Sequence, residues 1–94
     1  MQQQENSFVQ AEILAGKIYP NPAKNEAVLN YKIGENEKGT VEMISIMGEK
    51  IASYILLPDE LLKFNLTAIS AGMYFYSIKI NDEIVYTDKL IIIK

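Results

Sequence analysis

The sequence contains no cysteine, no histidine, no tryptophan and no arginine. Each absence removes a class of chemistry. Without cysteine there is no disulfide framework and no thiolate nucleophile. Without histidine the commonest general base and the commonest metal ligand are both missing. Asp, Glu, Lys and Tyr leave catalysis open in principle, but the chain is chemically poor for an enzyme and implies no cofactor. All 9 basic residues are lysines, and the net charge is −3. Nucleic-acid binders need a concentrated basic face, and arginine is the usual reader of phosphate and guanine. Nucleic acid is therefore set aside as a partner. No apolar run approaches the roughly 18 residues of a membrane span. The opening "MQQQENSF" lacks the basic region and apolar core of a signal peptide. That fits a cytoplasmic protein, and equally a fragment of a longer precursor with Met1 added as a start.

What is present reads as one β domain. Ninety-four residues, 49% of them apolar, suffice for a single core but not for a core plus a deep substrate cavity. Residues 1–16 are expected to be a flexible or partly ordered leading segment, with "FVQAEIL" (8–14) ambiguous between strand and helical turn. From residue 17 the pattern is β. "AVLNYKI" (27–33) sets Leu29, Tyr31 and Ile33 on one side, with Asn30 and Lys32 on the other. "GENEKG" (34–39) is a polar, glycine-bounded turn. "TVEMISIM" (40–47) and "EKIASYILL" (49–57) form a hairpin bent at Gly48. "LLKFNL" (61–66) alternates again, and "TAISAG" (67–72) is a turn with Ile69 tucked towards the core. In "MYFYSIKI" (73–80), Tyr74, Tyr76, Ile78 and Ile80 face one way, while Ser77 and Lys79 face the other. Asn81 and Asp82 suit the backbone angles of a tight hairpin turn, and "IVYTDKLIIIK" (84–94) runs on from it. With a short lead-in at residues 17–19, about seven strands follow one another closely. No stretch between them is long enough for a crossover helix, so the expected fold is an all-β antiparallel sandwich or barrel.

"IYPNPAK" (18–24) is the most rigid stretch. Each proline fixes its own φ, lacks an N–H and pushes the preceding residue towards extended geometry. The Asn21 side chain is expected to bond the backbone just ahead, as in an Asx turn. The result is a stiff corner that cannot pair as an interior strand and so protects a sheet edge. By this reading the motif is structural.

The order of features adds something that no single motif carries. A "YPNP" corner comes first, then an alternating strand, then the Gly turn at "MGEKI". A "FNLTAISAGMYFYSIKI" block follows, and the lysine-bracketed apolar tail "KLIIIK" comes last. Over residues 17–94 this resembles the type A C-terminal sorting domain of the Bacteroidetes type IX (Por) secretion system. The resemblance implies an immunoglobulin-like sandwich at the end of a secreted precursor. Such a domain is not an enzyme. It directs an upstream cargo through the outer-membrane translocon, and a sortase-like surface peptidase then removes it. The precursor would pass through the periplasm in transit and end at the cell surface or secreted. Carried over by position, the recognition residues are Pro20, Asn21, Pro22, Gly72, Tyr74, Lys89, Leu90, Ile91, Ile92, Ile93 and Lys94. A processing site would lie upstream, within residues 2–17, where Ala15-Gly16 offers an unhindered backbone.

Each of these residues also has a structural reading. Gly72 lets the chain turn into its strand, and Tyr74 packs in the core with its hydroxyl at an edge. The tail is harder to explain by packing alone. Four successive aliphatics, Leu90 to Ile93, must point alternately to two faces, and a small sandwich buries only one of them. Two are surplus unless residues 8–14 cover them. The tail is thus expected to dock on the translocation machinery, with strand addition as one mode. Lys89 and Lys94 would fix register and discourage self-association, so that pairing of copies through the same strand is at most weak. Glu35 with Glu37, and Asp82 with Glu83, are too few ligands for Ca²⁺. The competing class is an immunoglobulin-like binding or adhesion module for carbohydrate or a neighbouring domain, which would need an exposed aromatic platform.

Overall fold

A computed structural model describes residues 14–58 and 61–94. Seven strands run in chain order: β1 (Leu14–Ala15), β2 (Glu26–Lys32), β3 (Gly39–Ser45), β4 (Lys50–Leu56), β5 (Leu61–Asn65), β6 (Gly72–Ile80) and β7 (Glu83–Ile92). They form two sheets of order β1-β2-β5 and β4-β3-β6-β7, with every strand pair antiparallel. Period-two alternation makes this a sandwich. Ala27, Leu29, Tyr31 and Phe64 from one sheet meet Val41, Met43, Tyr76, Ile78, Leu90 and Ile92 from the other, all buried. The rings of Tyr54 and Phe64 close the gap between β4 and β5, with centroids 4.7 Å apart.

Two expectations shift. The lead-in strand at residues 17–19 is only an isolated bridge between Tyr19 and Val28. The paired strand lies earlier, at Leu14–Ala15, against Tyr31 and Lys32 of β2. Gly39, expected in a turn, instead opens β3. A Cβ there would sit 3.1 Å from the Leu56 side chain and 3.2 Å from Ile80, so glycine is set by packing rather than by turn geometry. The expected ambiguity over residues 8–14 falls outside the described residues except for Leu14.

The turns behave as their residues require. Asn81 (φ 52°) and Asp82 (φ 71°) both take the left-handed conformation that a two-residue hairpin needs. Gly48 sits at φ 90° in the β3–β4 hairpin, where Ser45 Oγ accepts from the amides of Met47 and Glu49. The β6–β7 turn is also tied to β3, because Asn81 donates its amide to Lys38 O (2.7 Å) and accepts from Lys38 N (2.9 Å).

Tyr76 is the deepest polar group. Its hydroxyl accepts the Ile18 amide at 3.1 Å, which joins the lead-in to the core of the other sheet. Burial pushes the Tyr76 phenol above its ordinary pKa, and burial does the same for Tyr54. The folded state therefore holds these protons to higher pH than the unfolded chain does. Their contribution to stability is intact below about pH 10 and falls as pH rises through the folded-state values. Tyr76→Phe strands the Ile18 amide. It should lower urea-measured stability by about 1–3 kcal/mol at neutral pH, and should make the decline above pH 10 shallower.

Candidate functional site

The PNP corner and the tail are about 70 residues apart in sequence and lie side by side in the fold. At the corner both X-Pro bonds, Tyr19-Pro20 and Asn21-Pro22, are cis. The contact with β7 is a short parallel ladder. In a parallel pair, a residue donates to the carbonyl before its opposite number and accepts from the amide after it. Ala23 does this across from Ile92: its amide donates to Ile91 O, and its carbonyl accepts from Ile93 N, both at 2.8 Å. Asn21 does the same across from Leu90, but with its side chain. Nδ2 donates to Lys89 O at 2.8 Å, and Oδ1 accepts from Ile91 N at 3.0 Å.

This explains why residue 21 is asparagine. Residue 22 of such a ladder faces away from β7, so Pro22 withholds no rung from it, and across from Leu90 the Asn21 side-chain amide supplies both a donor and an acceptor. The expected local Asx turn is therefore corrected: Asn21 bonds residues 68 and 70 positions away. The expected role of the corner as an edge guard is met, and the edge it guards is that of β7.

The tail continues the same junction. Leu90 and Ile92 are fully buried, Ile91 is half-buried, and Ile93 remains 42% exposed. The alternation anticipated for the four aliphatics is what the structure shows. Strand addition and self-association along the tail are corrected, because its outer edge from Lys89 to Ile93 is already bonded to Asn21 and Ala23. Lys94 does not steer register from outside. Its ammonium donates to Leu66 O (2.9 Å), Lys24 O (3.4 Å) and Asn25 Oδ1 (3.5 Å), clamping the tail to two turns.

Gly72 and Tyr74 belong to the same end of the sandwich. Gly72 starts β6 opposite Ile92 at φ 154°, a conformation that L side chains rarely adopt. Tyr74 is buried opposite Leu90 and donates its hydroxyl to Ser70 O at 2.7 Å. All the sequence-chosen residues therefore converge on one end. Sequence reasoning passed over Met73 and Phe75. They sit opposite Ile91 and Lys89 on the outward face of the sheet and are exposed. The signal was available, since these two apolar residues occupy the solvent phase of an alternating strand.

A profile of the secretion system C-terminal sorting domain family matches residues 17–94. The chain belongs to that family. No curated protein and no solved structure matches it. The sorting domain is thus a C-terminal signal for type IX secretion, and its motif residues form one junction between corner and tail. The expected scission point does not suit it. Ala15 pairs with Tyr31 within β1–β2, and the Gly16 amide donates to Asn30 O at 3.1 Å, so that backbone is tied down rather than unhindered.

The junction predicts a specific sensitivity. Asn21→Ala removes both side-chain rungs and should cost about 1–3 kcal/mol by leaving backbone groups of β7 unpaired. Asn21→Asp should be no better, because a carboxylate cannot donate to Lys89 O. Amide hydrogen exchange should show the loss first at Ile91.

Proposed function

We propose that the export machinery reads the end of the sandwich where corner and tail meet. The observation that carries this reading is the Asn21 ladder on β7, which turns two distant motifs into a single surface feature. Around it lie Met73, Phe75 and Ile93, all exposed, with half-buried Ile91 and the exposed Lys89 among them. An exposed apolar cluster with a charge beside it is a usual form of protein-binding surface. The buried members, Leu90, Ile92, Gly72 and Tyr74, shape this end, while the exposed members touch the partner. The domain acts by being recognised, without catalysis, and carries an upstream cargo across the outer membrane to the cell surface or medium.

A sortase-like peptidase then separates cargo from signal. Proteases take their substrates extended and unpaired, so cutting at Ala15-Gly16 would first require β1 to peel from β2. The competing binding-module reading has less support. Tyr31, Tyr74 and Tyr76 are buried, Tyr54 and Tyr86 are half-buried, and only Tyr19 of the six tyrosines is exposed.

The test fuses a periplasmic reporter upstream of the chain in a type IX-competent host. Removing residues 90–94 should abolish surface delivery and also lower the melting temperature. Phe75→Ser and Lys89→Glu change outward side chains, and with Phe75 40% exposed the pair should cost no more than about 2 kcal/mol, yet together they should strongly reduce delivery. Parent-level delivery of that stable double variant would show that the machinery reads another face.

A further inference from the structure

The two edges of the four-stranded sheet are finished differently. On β7 the corner covers residues 89–93, an extra residue at Val85 bulges the strand between Tyr86 and Ile84, and Asp88 and Lys89 add charge. These are the usual guards of an edge strand. β4 has a bulge at Ile51, between the residues that pair with Met43 and Ile44, and a charge at Lys50, but over residues 52–56 none of these guards is present. "IASYILL" (51–57) has no charge, no proline and no glycine. β4 pairs only with β3, and among the described residues no backbone bond from elsewhere reaches residues 51–56. On its outward face Ile51 is 39% exposed, Ile55 71% and Leu57 57%. The facing edge strand of the other sheet, β5, carries Lys63 at its centre. β4 is therefore an open template of high β-propensity.

We propose that a second copy of this chain pairs along β4, antiparallel, about a two-fold axis at Ser53. The sequence around Ser53 is complementary to its own reverse. In this register Ser53 meets Ser53 of the second copy, Ala52 meets Tyr54, and Ile51, at the bulge, meets Ile55. Small faces large on the inner face, isoleucine faces isoleucine on the outer face, and the two Lys50 ammonium groups lie at opposite ends. Moving the axis to Tyr54 would set two tyrosines against each other. The contact is isologous, so it closes at two copies and does not propagate, and the guarded β7 edges prevent growth at the far sides. The joined sheet would run β7-β6-β3-β4-β4-β3-β6-β7. Both corner–tail junctions then lie at its outer edges, roughly 34 Å apart at about 4.8 Å per strand, and both stay accessible.

The absence of cysteine makes the test clean. Ser53→Cys places a single thiol at the axis, and Thr87→Cys places one on the guarded edge as a control. In the 94-residue chain, mild oxidation should yield disulfide dimer on the order of a hundredfold faster from Ser53→Cys, because pairing raises the effective thiol concentration. In the unsubstituted chain, sedimentation should show a concentration-dependent dimer. Hydrogen exchange at residues 51–56 should slow as concentration rises, and Ile55→Lys should remove both effects without changing the melting temperature. Equal oxidation rates for the two thiols, or β4 exchange independent of concentration, would overturn the pairing. So would a dimer that survives Ile55→Lys.

Discussion

The Asn21 amide lying across β7 is the contact on which this end of the sandwich depends. Across from Leu90 the corner offers β7 a side-chain rung where a regular ladder would use the backbone. Its strength is that of ordinary hydrogen bonds, but its position gives it leverage. It closes the outer edge of the last strand, holds Leu90 and Ile92 in the core, and fixes where the exposed face of the tail sits relative to Phe75 and Met73. Lys94 finishes the closure by donating to the Leu66 carbonyl.

Much of the fold was legible because alternation is a local signal. β2, β3, β5 and β6 each show apolar side chains at every second position, and each buries that set. The Asn81-Asp82 turn was legible for a related reason: few residue pairs tolerate its backbone angles. The order of motifs also placed the chain in its family. Partnerships over distance were not legible. Asn21 has the same local sequence whether it caps a turn or bonds a strand 70 positions on. Gly39 looks like a turn glycine because nothing nearby announces Leu56 and Ile80 pressing on it from two other strands. The excess of aliphatics in the tail was visible. Its resolution, two buried and two outward with the edge sealed, depended on an element at the other end of the chain.

The contrast between the sheet's two margins shows how a small sandwich divides its surface. β7 is bulged, charged and covered, while β4, past Lys50 and a bulge at Ile51, is straight over its pairing with Gly39 to Met43 and bears only aliphatic, small and aromatic side chains there. The outward face between them is partly neutralised by Glu42, which lies 3.5 Å from both Lys50 and Lys79. That leaves hydrocarbon at the tail end and along β4, and a paired polar centre between. Further exposed apolar side chains sit beside the turns, Ile46 and Met47 after β3 and Ile84 and Val85 at the start of β7.

The join between positions 21 and 91 also orders events in time. A chain emerging N-terminus first presents its corner early and its last strand late, and contacts of long sequence separation form only once both ends are available. Until position 91 has emerged there is nothing for the Asn21 amide to grip. Any receptor that requires the closed end therefore meets it only after everything upstream has already come through. Closure of this one ladder acts as a completion stamp on the polypeptide.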